Sequence, residues 1–331
     1  KTLMSTQPVY SQNKEDKPLV SFVVTYYSEP VDMLKECISS ILALSLNETE
    51  RQIIVVDDGA DYSPINELLA LSSNIVYVRQ PNRGLGQARN TGIELAEGSF
   101  IQFIDGDDLL LTSAYEQCLD IIRYRETDMV LFQSTDKKTS KPLADAEGPI
   151  SGTEYMTHNN LRGSVWTFLF RKEILHDLRF PKGILHEDEE FTPQLMLRAE
   201  NLYFTNNKAY YYRKREGSIM HKRDKRWHIR RLADAEQVLY RLKERVDYLP
   251  VKERIAMERR IAQLTMDHIY NVITMTHDET HLNHVLQRLS RHGLFPLPDK
   301  DYTSKYKWFR RMTNSSFGRK TLIMLLRINK G

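Results

Sequence analysis

The chain has 331 residues, 41% of them hydrophobic and 27% charged, with 14 Gly and 12 Pro. That balance excludes collagen-like, low-complexity and globally disordered chains, and the length suits one large domain with an appendage. The formal charge is only +3, but residues 301–331 hold eight basic residues against the single acid Asp301, and this local +7 leaves about −4 for the other 300 residues. The basicity belongs to the tail.

Residues 1–17 are polar, without apolar periodicity, and read as a flexible leader. From Pro18, β-branched runs alternate with helical patterns. Strands are predicted at Val20–Tyr26, Gln52–Val56, Asn74–Val78, Phe100–Ile104 and Met129–Gln133, with helices at Met33–Leu44, Pro64–Leu71, Gly84–Ala96 and Ser113 to about Arg125. Strands without polar alternation are buried on both faces, and helices between them make right-handed crossovers. A doubly wound α/β sheet, mostly parallel with helices on both faces, is expected. Past Thr135 the rhythm breaks in a polar stretch. From about His221 the chain turns strongly helical, so a boundary is placed near residue 220, with 221–331 as a helical C-terminal region.

Cys37 and Cys118 lie far apart and without metal-ligand spacing, which excludes a disulfide framework or zinc site and predicts core thiols in a reducing compartment. No apolar run reaches the roughly 18 to 20 residues that span a bilayer, and no targeting segment opens the chain. A cytoplasmic location is expected.

Ligands of open α/β sheets bind outside the carboxyl ends of the strands. Those ends are polar here: Thr25, Tyr26, Tyr27, Ser28 and Glu29; Asp57, Asp58 and Gly59; Arg83, Gly84, Leu85 and Gly86; and Asp105, Gly106, Asp107 and Asp108. The last cluster is the strongest feature. Its carboxylates repel one another by about 1 kcal/mol per pair in water and roughly 4 at an effective dielectric near 20, a cost that a hard divalent cation with open positions for diphosphate oxygens would offset. An Asp-rich cap for the following helix is the bland alternative. No P-loop lysine motif occurs, and Gly84-Leu85-Gly86 lacks the full dinucleotide fingerprint.

Over residues 18–220 the chain resembles the family 2 glycosyltransferases, through VSFVVTYYSE, IIVVDDGA, NRGLGQARNTGIELAEGSFIQFIDGDD and HEDEEF. The resemblance implies a GT-A fold, a nucleotide-sugar donor, a glycan or glycolipid acceptor, and Mn²⁺ or Mg²⁺. It implies that Asp105 lies near the ribose and Asp107 on the metal, and that Tyr26 or Tyr27 and Asp57 hold the nucleobase. Arg89 and Asn90 would line the nucleotide pocket, with Thr25, Glu29, Asp58, Gly84 and Gly106 in the donor-binding segments. One departure is Ala60, where the family often has Ser.

Glycosyl transfer also needs a base for the acceptor hydroxyl. His186-Glu187-Asp188-Glu189-Glu190 supplies carboxylates, and Thr192-Pro193 reads as the start of a helix with those acids at its mouth. The resemblance assigns the base to Asp188, a supporting role to Glu187, and an inverting course to the reaction. Trp166, in VWTFLF, is either an acceptor platform or a core residue. His221 matches a region where related enzymes supply a third metal ligand, and Arg213 and Arg215 could meet diphosphate.

The segment Phe317–Ile328 is apolar with basic flanks, too short to span a membrane, and suited either to lying on anionic lipid at the inner face or to docking back on the protein. The leading reading is a metal-dependent transferase using a UDP-sugar in surface polysaccharide synthesis. A nucleotidyltransferase is less favoured, because the first strand lacks a basic Gly-rich loop after it. A nucleic-acid or scaffold binder built on the tail is opposed by the acidic cluster, and no nucleic-acid partner is expected. The oligomeric state is left open.

Overall fold

The run VSFVVTY forms β1 (Val20–Tyr26), and all seven of its residues are buried, as a strand without polar alternation must be when both faces are covered. In the computed structural model, which describes residues 17–139, 146–214 and 225–328, β1 pairs in parallel with β2 (Arg51–Asp57) on one side and β4 (Phe100–Asp105) on the other. β2 in turn pairs in parallel with β3 (Ile75–Arg79). The connecting helices are α1 (Val31–Leu42), α2 (Ile65–Leu71) and α3 (Leu85–Leu95). The amphipathic α1 buries Leu34, Cys37, Ile38 and Ile41 at helical spacing.

Beyond β4 come β5 (Leu109–Leu110), α4 (Thr112–Tyr124), β6 (Met129–Thr135), β7 (Glu147–Ile150), α5 (Gly152–His158), β8 (Phe168–Arg171), α6 (Glu187–Met196) and β9 (Leu202–Tyr211). Nine strands join in one sheet among the described residues, ordered β3-β2-β1-β4-β8-β6-β9-β5, with β7 on β9. The α/β class expected from the sequence forms, but the sheet is mixed. β8 inserts antiparallel between β4 and β6, pairing Ile101 with Phe170 and Val130 with Leu169. β6 and β9 run parallel, with register shifts between Leu131 and Ser134. β5, β7, β8 and β9 escaped the sequence reading because they are short, or polar in their middle.

The helical region comprises α7 (Lys225–Val246), α8 (Val251–Thr276), α9 (Glu279–Arg291), α10 (Ser304–Asn314) and α11 (Ser316–Ile328). α9 buries Leu282, Val285, Leu286 and Leu289, and its cap Asp278 accepts from the amides of Thr280 at 2.7 Å and His281 at 3.1 Å. Two units form. One takes the described residues of 1–152, 164–183 and 194–218, and the other those of 153–163, 184–193 and 219–331. The acidic run at Glu187–Glu190 therefore belongs to the helical unit. Cys37 and Cys118 are buried thiols in the sheet unit. No helix among the described residues is long and apolar enough to cross a membrane.

Candidate active site

Strand register aligns the polar residues at the carboxyl ends of the central strands. Tyr26 pairs with Asp57, and Thr25 pairs with Asp105. Asp57 is fully buried: its Oδ1 accepts from the Ala60 amide at 2.7 Å and its Oδ2 from the Tyr77 hydroxyl at 2.6 Å, with Arg79 Nε at 3.6 Å. Burial and the bond to Asp57 push Tyr77 up to about 12. Tyr26 is buried, and that burial raises its phenol, with Glu29 and Asp57 adding to the effect. Tyr27 is exposed, and its amide donates to Glu29 at 2.7 Å.

Asp58 ties the loop after β3. Its carboxylate accepts from the amides of Arg83 (2.9 Å) and Gly84 (2.8 Å) and from Gln80 Nε2 (2.7 Å). Gly84, at φ 87°, adopts a backbone that L side chains disfavour and opens α3. From α3, Arg89 reaches Asp105 Oδ1 at 3.1 Å, while both ends of the Asn90 amide bond the backbone of Phe180.

The acidic cluster divides into unequal members. Asp105 is partly exposed; burial raises its carboxyl, opposed by Arg89 and reinforced by Asp107. Gly106 donates its amide to Thr25 O at 3.0 Å, and a Cβ there would stand 2.8 Å from that oxygen. Asp107 keeps a partly exposed carboxylate. Asp108 turns inward, where Tyr210 donates to Oδ2 at 2.8 Å and the Arg213 amide to Oδ1 at 2.8 Å. Burial and the charges of Asp105 and Asp107 push it up to about 8. The Arg213 side chain donates to Asp107 O at 2.7 Å and to Glu36 at 2.8 Å. Trp166 stacks on Tyr210, with centroids 4.5 Å apart, and on Tyr212 at 5.6 Å.

Within the helical unit, the run expected at a helix mouth forms the first turn of α6 itself, where its carboxylates complement the dipole. The start expected at Thr192-Pro193 is corrected: the helix begins at Glu187, after His186 at φ 66°, and Pro193 lies inside it. Thr192 donates to Gly163 O at 2.6 Å. Arg260 of α8 pairs with Glu189, and Arg241 of α7 pairs with Glu190 at 2.7 Å. Glu187 is buried, and Asp188 is partly exposed with Oδ1 accepting from the Glu189 amide at 2.9 Å. Burial, followed by the Arg231 charge, lowers His186.

Residues 21–177 match the family model described as Glycosyl transferase family 2. Over those residues the chain is similar to the family 2 glycosyltransferases. It is 31% identical over 220 residues to EpsJ, an uncharacterized glycosyltransferase of Bacillus subtilis (strain 168), covering 61% of this chain and 63% of EpsJ. The match thus spans less than two thirds of that relative's length. In fold it is similar to S. aureus TarS 1-349 in complex with UDP-GlcNAc, at TM-score 0.68 and 19% identity over 93% of this chain and 89% of that one. It is also similar to the mannosyltransferase PcManGT of Pyrobaculum calidifontis in complex with GDP-Man and Mn²⁺, at TM-score 0.55 and 12% identity over 94% and 85%.

The sheet unit brings together Thr25, Tyr26, Asp57, Arg89, Asp105 and Gly106, while Glu187 and Asp188 stand in the helical unit. His221 and Arg215 lie outside the described residues. Among the described residues, no three His, Cys, Asp or Glu side chains group as a metal-holding set. Asp105 and Asp107 still offer hard oxygens suited to a cation that takes its other ligands from diphosphate and water. The sequence reading missed Tyr210 and Glu36 at the acidic cluster, and Arg241 and Arg260 on the acidic helix. Tyr210, in β9, and Arg213, two residues past the end of that strand, meet the cluster through their bonds to Asp108.

Proposed function

We propose that this chain transfers a sugar from a nucleoside-diphosphate donor, UDP-linked, to a hydroxyl of a glycan or lipid-linked acceptor in cell-surface polysaccharide synthesis. The observation that carries the reading is the register that sets Tyr26 beside Asp57 and Thr25 beside Asp105 at the carboxyl ends of parallel strands, with Asp107 two residues on. The UDP-GlcNAc complex of the TarS neighbour, and 30% identity over 195 residues to GgaB, a minor teichoic acid biosynthesis protein of Bacillus subtilis (strain 168), support donor and pathway.

In this proposal Tyr26 and Asp57 hold the nucleobase, Asp105 orients the ribose under the control of Arg89, and Asp107 with Asp105 holds Mn²⁺ or Mg²⁺. The bound cation would neutralise the charge that grows on the leaving diphosphate. Asp188 accepts the proton of the attacking acceptor hydroxyl, and Glu187 supports it. Partly exposed Trp166 braces Tyr210 and presents its uncovered part to an acceptor sugar. The tail helix α11 buries Leu322 and Ile323 yet leaves Phe317, Met324 and Leu325 exposed, which supports contact with an anionic membrane surface.

Asp188→Asn is the test. The variant is expected to bind UDP-sugar as the parent does, by calorimetry, while losing transfer to acceptor. Unchanged turnover would remove Asp188 from the base role.

A further inference from the structure

The helical unit contains a hollow of about 520 Å³ that the proposed transfer reaction does not use. Its lining includes Asn283, Gln287, Ser290 and Arg291 from α9, Phe295 just after it, and Arg319 from α11. The volume falls within the range of about 300–1,000 Å³ common to ligand sites. Among the described residues, two guanidiniums contribute to it and no carboxylate does.

The acids in the segment before α10 are engaged elsewhere: Asp299 pairs with Arg310, and Asp301 pairs with Lys307 at 3.0 Å. Arg288, one turn before Arg291, forms a two-pronged pair with Glu236 at 2.7 and 2.9 Å. Arg319 donates one nitrogen to Thr313 O at 2.9 Å, and its Nε is buried without an acceptor. Arginine does not shed its charge in a protein, so two guanidiniums on one hollow attract an anion. Their forked donors match carboxylate or phosphate. Asn283, Gln287 and Ser290 offer donors and acceptors for hydroxyl groups, and Phe295 offers an apolar face for a sugar ring.

We propose that this hollow is a second carbohydrate site, binding an anionic, hydroxyl-rich oligomer whose charge is a phosphodiester or a uronate. That it grips the acceptor polymer rests on the transferase reading; the binding itself does not.

The test is calorimetry on the full chain, without donor, using a glycerol-phosphate trimer, trigalacturonate and neutral maltotriose. The two anionic probes separate phosphodiester from uronate, and one or both are expected to bind while maltotriose does not. Arg291→Gln, at an exposed position, is expected to weaken binding by about tenfold or more. The double variant Asn283→Ala with Gln287→Ala should weaken it as well, which keeps the test independent of charge alone. The proposal is overturned if neither anionic probe binds at millimolar concentration, or if both variants bind as the parent does. It is also overturned if phosphatidylglycerol vesicles, and no soluble oligomer, show the Arg291 dependence. Because no nucleotide sugar is present, failure here leaves the transferase reading standing, and failure of donor binding leaves this site standing.

Discussion

The Tyr210 hydroxyl donates to Asp108 Oδ2 at 2.8 Å, joining the last strand of the sheet to an acid 102 residues earlier in the chain. The same oxygen accepts from the Asp105 amide at 3.2 Å, so one phenol fixes the backbone at one end of the acidic cluster and a carboxylate at the other. Removing it leaves a buried carboxyl short of a donor. Tyr210→Phe is expected to cost about 1–3 kcal/mol in chemical denaturation and to weaken Mn²⁺ binding in a titration. A variant with parental stability and metal affinity would show that the cluster does not depend on this phenol.

The acidic helix depends on a small residue outside it. A Cβ on Gly163 would come within 2.3 Å of Glu189 Oε2, the oxygen paired with Arg260. Gly163→Ala and Arg260→Gln should each disturb that pair and shift the first turn of α6. The expected signature is kcat reduced by up to about 100-fold with the donor KM unchanged. A rise in donor KM at constant kcat would instead place this pair in donor binding.

Much of the first half of the sheet was legible because β1, β2 and β4 are continuous apolar runs bounded by turn residues. β8 was hidden: four residues, FLFR, carry too little pattern to separate a strand from any buried segment. β9 alternates in burial along LYFTNNKAYY, but its polar centre and the register shifts opposite β6 conceal it. Asp105 and Asp107 could be singled out as candidates by residue type and spacing, and Asp188 only through the family resemblance. Tyr210, Glu36, Arg241 and Arg260 could not, since their partners lie 51 to 177 residues away and only the fold brings them together. Pro193 misled because proline favours the first position of a helix, whereas here His186 at positive φ and the acidic run begin the helix earlier.

Acid stability should report on Glu236. Burial pushes its carboxyl up, but Arg288, His268 and Tyr240 outweigh that and hold it well below the ordinary 4.5. With the folded pKa depressed, the stabilisation is complete above the unfolded pKa and is lost as pH falls below it. Glu236→Gln is therefore expected to cost about 1.5–3 kcal/mol at pH 7 and to lose less stability than the parent on acidification below about pH 4.5. Parallel pH profiles of melting temperature for the two proteins would exclude this.

The exposed face of α11 yields a binding prediction. Phe317 is 81% exposed, and Met324 and Leu325 follow at seven and eight residues, on the same side of the helix. Replacing all three with Ser should reduce cosedimentation with phosphatidylglycerol vesicles and leave the melting temperature nearly unchanged. Equal recovery of parent and variant in the pellet would remove this face from membrane contact.

The proposed transfer depends on Asp107, two residues past Asp105 at the end of β4, holding a cation that in turn holds the diphosphate of an activated sugar. The most direct measurement is the melting temperature of parent and Asp107→Ala across a panel of nucleotide sugars, with Mn²⁺ and with chelator. A ligand that binds only the folded chain raises that temperature. A rise with UDP-sugars that requires Mn²⁺ in the parent and is absent in the variant is the predicted result; an equal rise in both proteins, or one indifferent to chelator, would contradict it.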